Sequence, residues 1–185
     1  MKSFFGIFLL LMVTTLQAFT PAPKSVYDYY VEDIAGTTVS LKDYKGKVLM
    51  IVNVANKCKM AYQYKELQEI FDKYSAQGFT VLAFPSSTFS PEDKDAKAFS
   101  GACVAKYAIT YPIFSNVDVK GDDTHPLYMF LSNKNNNGKL DAPVEMNFQK
   151  FLIGKDGQLI ETFSYKTAAN SKKITKAIEK ALAIK

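Results

Sequence analysis

The sequence predicts an α/β domain with a central mixed β-sheet flanked by helices, and three observations carry that expectation. Residues 48–54 (VLMIVNV) are a short, almost wholly apolar run rich in β-branched side chains, the pattern of a strand buried on both faces. Residues 79–84 (FTVLAF) repeat that pattern between Gly78 and Pro85. Between the two runs Leu67, Ile70, Phe71 and Tyr74 fall at i, i+3, i+4 and i+7, the stripe of an amphipathic helix, with Gly78 as its stop. A strand, a helix and a strand in that order make a right-handed βαβ unit with parallel strands.

The first 18 residues read as a signal peptide. Lys2 supplies a positive start, residues 4–13 an apolar stretch too short for a comfortable membrane span, and Ala18 a small residue for cleavage. One domain is then expected over residues 19–185, exported to a periplasm or secreted, where disulfides persist. Residues 19–24, with Pro21 and Pro23, read as an extended lead-in, and residues 26–47 as a small hairpin and turn around Gly36 and Gly46. After the second core strand, residues 86–93 form a polar loop that leaves the same sheet edge as the loop after Val54. Residues 94–107 suit a helix weakened at Gly101, 111–114 and 117–119 short extended pieces, 126–131 a helical turn or two, and 133–138 an asparagine-rich loop. Residues 148–153 and 159–163 flank Lys155-Asp156-Gly157, a hairpin signal. Asn170 or Ser171 caps a last helix with Ile174, Ala177, Ile178, Ala181 and Leu182 on one face. A βαβ unit, a linking helix, a β-hairpin and a closing helix, in that order, make up the thioredoxin-like plan.

Composition narrows the function. With 185 residues, 48% hydrophobic and 22% charged, the chain can bury one real core. The net charge of +5 is spread along the chain, and every basic residue is lysine. A phosphate-reading surface is expected to use arginine, so nucleic acid is not an expected partner. His125, the only histidine, is a poor metal ligand on its own, and no zinc spacing, phosphate loop or serine–histidine arrangement is present. Lys172, Lys173, Lys176 and Lys180 read as a solvated helix face.

The chemistry lies with two cysteines. Cys58, flanked by Lys57 and Lys59, follows the first core strand and precedes the helix, at the edge where open α/β sheets carry their sites. A helix N-terminus contributes up to about 2 kcal/mol to an anion, enough to bring a thiol from about 8.5 to roughly 7. A thiolate attacking a peroxide becomes a sulfenic acid, and a second thiol can condense with it to a disulfide. Cys103 is the only other thiol. Two alternatives stay open on the residues alone. One is a structural disulfide in an exported binding or scaffold protein, worth roughly 4 kcal/mol by chain entropy. The other is a thiol–disulfide oxidoreductase, against which the wide cysteine spacing counts.

The segments VLMIVNVANKC, YKELQEIFDKYSAQGFTVLAFP, YPIFSNVDVKG, HPLYMFL and NFQKFLIGKDGQLIETF together resemble the glutathione peroxidase family over nearly all of the chain after Ser25. The resemblance implies a thioredoxin fold and reduction of hydrogen peroxide or of organic and lipid hydroperoxides by a cysteine thiol, with no metal or organic cofactor. Cys58 matches the peroxidatic position, Asn147 the active-site asparagine, and Cys103 the resolving cysteine of the two-cysteine branch. A thioredoxin-like protein, or glutathione, is the implied reductant. The short segment 133–144 resembles members without the oligomerisation loop, which implies a monomer. Thr88 stands where the family carries its catalytic glutamine, Met146 where it carries tryptophan, and Lys59 where glycine is usual. A threonine hydroxyl is a shorter-reaching donor and a thioether donates nothing, so a weakened or retuned peroxidase is expected.

Overall fold

A computed structural model describes residues 25–55, 59–89 and 104–184. Two short strands, β1 (Tyr30–Glu32) and β2 (Thr38–Ser40), form the expected antiparallel hairpin. The central sheet has four strands in the order β4 (Phe79–Pro85), β3 (Val48–Val54), β5 (Lys150–Ile153) and β6 (Leu159–Phe163). Every residue of β3 and β4 is buried, as their unbroken apolar character requires. The two strands run parallel from Val48 opposite Phe79 to Val54 opposite Pro85, while β5 pairs antiparallel with both β3 and β6. The sheet is therefore mixed. Helix α1 (Gln63–Tyr74) makes the crossover from β3 to β4, and after one 3₁₀ turn the chain reverses at Gly78, whose φ of 92° is open to glycine.

Successive β3 residues point to opposite faces, and each face gathers its own core. Val48, Met50, Val52 and Val54 pack with Leu67, Ile70 and Tyr74 of α1 and with Ile174, Ile178 and Ala181 of α4 (Lys172–Ala183). Leu49 and Ile51 pack with Leu127, Tyr128, Phe130 and Leu131 of α2 (Pro126–Ser132) on the other side. Each valine, leucine, isoleucine, methionine or phenylalanine among these contributes about 1.5–3 kcal/mol by leaving water. Helices on both faces of this sheet, joined in this order, are the thioredoxin-like fold. The expected 155–157 turn is also present. Gly157 has a φ of 81°, and a Cβ there would sit 2.6 Å from the Tyr27 ring, so only glycine fits.

Two elements differ from the sequence expectation. Residues 133–138 are not simply a loop, for Lys134–Asn137 form a single helical turn, α3. Asn133 Oδ1 accepts from the Asn135 N–H at 2.9 Å, Asn137 Nδ2 donates to the Phe130 and Leu140 carbonyls at 3.0 Å each, and Gly138 closes the turn at φ 68°. Asparagine side chains here replace the missing backbone partners, which composition alone reads as irregular structure. Strand β5 starts at Lys150, two residues late, because Phe148 turns through φ 69°. Residues 104–107 of the linking helix are helical, whereas the rest of the 94–107 expectation, like the signal peptide, lies outside the described residues. Of the expected extended pieces, residues 111–114 make two bridges, Ile113 beside Ala83 of β4 and Phe114 beside Asp33 at the end of β1.

Candidate functional site

Because β3 and β4 are parallel, both end at one edge, and the Ser86 N–H donates to the Val54 carbonyl at 2.9 Å across that edge. From Lys59 the chain turns towards α1, and the Gln63 and Tyr64 N–H groups donate to the Met60 and Ala61 carbonyls at 2.9 and 3.1 Å as the helix begins. Cys58 falls in sequence between Ala55 at the strand end and Lys59 at the turn, and it lies outside the described residues, as does Cys103.

Asn147 sits at this edge and is fully buried. Asn53, at the end of β3, donates from Nδ2 to Asn147 Oδ1 at 3.4 Å and to the Met146 carbonyl at 3.2 Å. The Asn53 carbonyl in turn accepts the Phe148 N–H at 2.6 Å. Phe148 therefore leaves the asparagine in the left-handed region, at a cost of about 1–2 kcal/mol for a residue with a Cβ. Its ring, fully buried, meets Tyr64 of α1 edge-on with centroids 5.0 Å apart, which offsets that strain. Asn53 Oδ1 and Gln63 Oε1 are buried acceptors with no hydrogen-bond partner among the described residues.

Beneath the turn lies a buried cation. Lys150 is fully buried, and its Nζ donates to the Phe148 carbonyl at 2.7 Å and to the Thr167 carbonyl at 2.9 Å. Burial pushes its pKa down to about 8, against the weaker opposing pull of Glu66. The segment that supplies the Thr167 carbonyl is itself held to α1. Gln63 Nε2 donates to the Tyr165 carbonyl at 2.8 Å, and Glu66 Oε2 accepts the Ala169 N–H at 2.9 Å.

Thr88 lies on the same edge, two residues beyond Ser86, but its hydroxyl is engaged elsewhere. It donates to Asp118 Oδ1 at 3.4 Å and accepts from Ser86 Oγ at 3.0 Å and from the Val119 N–H at 3.2 Å. Met146 is 36% exposed at the rim, next to the buried asparagine. His125 has the structural place expected of it. Its Nδ1 accepts the Leu127 N–H at 3.2 Å and caps α2, and burial lowers its pKa against the pull of Glu32.

Sequence reading missed Asn53, Gln63 and Lys150. The signal was available for two of them, since an amide and an ammonium interrupt otherwise apolar buried strands (VLMIVNV and KFLI). Gln63 looks like any polar residue in a first helical turn. Together these residues hold the turn that carries Asn147 at the sheet edge, where an amide N–H is suited to steadying an anionic sulfur and a departing oxygen.

Comparison with known proteins follows that chemistry. A family model described as glutathione peroxidase matches residues 26–132. The chain is 41% identical over 174 residues to phospholipid hydroperoxide glutathione peroxidase 1, chloroplastic, of Arabidopsis thaliana, spanning 91% of this chain and 71% of that protein. It is 39% identical over 142 residues to the glutathione peroxidase of Lactococcus lactis subsp. cremoris (strain MG1363), spanning 76% and 90% of the two. The crystal structure of Trgpx in apo form superposes with a TM-score of 0.70 at 35% identity, covering 88% of this chain and 98% of that one.

Proposed function

The chain belongs to the glutathione peroxidase family, a thiol-dependent peroxidase by that membership, and from this premise we propose how its own residues reduce a hydroperoxide. The Cys58 thiolate attacks the terminal peroxide oxygen. A sulfur–oxygen bond forms, the oxygen–oxygen bond breaks, and the alkoxide leaves as an alcohol after taking a proton. The Cys103 thiol then displaces hydroxide from the sulfenic acid, releasing water and forming a disulfide. Two electrons from a thioredoxin-like protein, or from glutathione, return both thiols.

Asn147 is the donor that steadies sulfur and leaving oxygen, and the observation that carries this role is its complete burial against Asn53. Thr88 is the second polar group at the rim. To donate to a leaving oxygen its hydroxyl must exchange the bond to Asp118, so it contributes less. Lipid hydroperoxides are included among the substrates, in keeping with the name of the Arabidopsis relative and with the exposed thioether of Met146. The protein acts as a monomer after export, with residues 1–18 removed.

Mass spectrometry on reduced protein mixed with hydrogen peroxide or an organic hydroperoxide tests the scheme. Sulfenic acid on Cys58, followed by a Cys58–Cys103 disulfide, is the expected outcome. An unmodified Cys58 after minutes of exposure rules it out. Faster turnover with a thioredoxin than with glutathione assigns the reductant, and the reverse order reassigns it.

A further inference from the structure

Phe148 has no intrinsic reason to adopt φ 69°, so its conformation must be imposed from both sides of the residue. Its N–H is held by the Asn53 carbonyl at 2.6 Å and its carbonyl by Lys150 Nζ at 2.7 Å. Asn147 immediately precedes this fixed residue, so the direction of its side chain depends on both bonds. Lys150 is an unusual means to that end. It occupies a position in β5 where all four residues are buried, and burying an ammonium costs several kcal/mol unless its hydrogen bonds are good. No carboxylate forms an ion pair with it among the described residues. Its two bonds go instead to backbone carbonyls in two different segments, the asparagine turn and the 164–169 segment. That second segment is braced to the first turn of α1 by Gln63 and Glu66.

From this arrangement we infer that Lys150 is a positioning residue for peroxide reduction. Its ammonium clamps the Asn147–Phe148 turn to the segment that carries the start of α1, and so holds the asparagine amide in its reactive orientation. Lys150 touches neither peroxide nor sulfur and acts through Asn147. The inference rests on the reading of Asn147 as the donor beside the reacting thiol.

A double-mutant cycle on the full chain separates this role from general support of the fold. Stopped-flow measurement of Cys58 oxidation by hydrogen peroxide is expected to show Lys150→Met slowed on the order of tenfold, as for a group displaced by a fraction of an ångström. In an Asn147→Ala background the same change is expected to slow the reaction no further. Lys150→Arg, which keeps charge and donors, is expected to retain the wild-type rate within about threefold. The structural readout is the Asn147 side-chain amide in a ¹H–¹⁵N spectrum. It shifts in Lys150→Met, whereas the amide of Asn137, buried in α3, does not.

Effects that multiply in the double variant, or an unmoved Asn147 resonance, overturn the inference. If Asn147→Ala reacts like wild type, the reading of Asn147 as donor fails, and the resonance comparison alone still decides whether Lys150 holds it. Should Lys150→Met not fold, Lys150→Gln, too short to span both carbonyls, carries the same comparisons.

Discussion

The site edge has two corners of opposite construction. At the β3–β5 corner, Asn147 is fully buried, with Asn53 holding its side chain and the turn around it, a strained Phe148 on one side and an ammonium below. At the β4 corner, Thr88 is half-buried and its hydroxyl bonds to Asp118, Ser86 and Val119, all within the loops that follow β4. Both corners leave the same sheet, and both carry residues expected from sequence to act on peroxide. Only the first has a donor residue that is itself fully buried. A donor oriented before the reaction starts needs little reorganisation as charge moves, and the Thr88 hydroxyl is oriented towards Asp118. The Thr88 hydroxyl thus anchors loops, and in the proposed scheme the burden of charge stabilisation falls on the asparagine corner.

The largest effect that tests this contrast is a pH dependence of stability at the braced corner. Lys150 has a pKa of about 8 in the fold and about 10.4 when unfolded. The unfolded chain therefore binds more protons between those values. Stability is greatest above pH ~10.4 and falls as pH drops towards 8, by about 3 kcal/mol for this one group at about 1.4 kcal/mol per unit. Below pH ~8 the term is constant, because both states are protonated. Urea unfolding of wild type and Lys150→Met across pH 7–11 isolates it as the difference between the two curves. Equal slopes for the two proteins mean that the corner is not braced by a buried charge.

Next in size is the rate effect at the asparagine itself. Asn147→Ala is expected to slow Cys58 oxidation about thirtyfold, or about 2 kcal/mol, less than the roughly hundredfold or more for loss of an oriented oxyanion donor because the sulfur charge is already formed. Stopped-flow oxidation with hydrogen peroxide measures it, and a loss below about threefold sinks the contrast between the corners. A gain of function sharpens the contrast from the other side. Thr88→Gln with Met146→Trp restores two longer donors at the rim, and about a tenfold faster Cys58 oxidation is expected, measured by the same assay. An unchanged or slower variant shows that the asparagine corner already provides all the stabilisation the reaction uses.

How much of this was legible in the chain follows from what each pattern reports. The two parallel strands and α1 were legible because burial on both faces and a 3.6-residue stripe leave direct marks, in residues 48–54, 67–74 and 79–84. The Asn147 position was legible through the motif around Phe148, and its burial was not, since the motif says nothing about which partner takes the amide. Lys150 was overlooked for a physical reason. A lysine in a strand usually marks a solvent-facing position, and only its two carbonyl partners, 2 and 17 residues away in sequence, reveal a buried one. Thr88 was legible as a substitution, but its capture by Asp118 depends on where a loop thirty residues further on returns to the sheet.

That capture sets the smallest prediction. Thr88→Val keeps the side-chain shape and removes the hydroxyl, leaving the Val119 N–H and Asp118 Oδ1 without this partner. A hydrogen bond of this kind contributes about 1 kcal/mol, so thermal or urea unfolding should register a loss of that size. The rate of Cys58 oxidation should change by less than about twofold, because the hydroxyl is engaged by Asp118 and not offered to peroxide. The opposite pattern, in which stability is kept and the rate falls about tenfold, identifies Thr88 as a working donor that releases Asp118 when peroxide binds. The two corners would then share the stabilisation, and burial would no longer mark the one that matters.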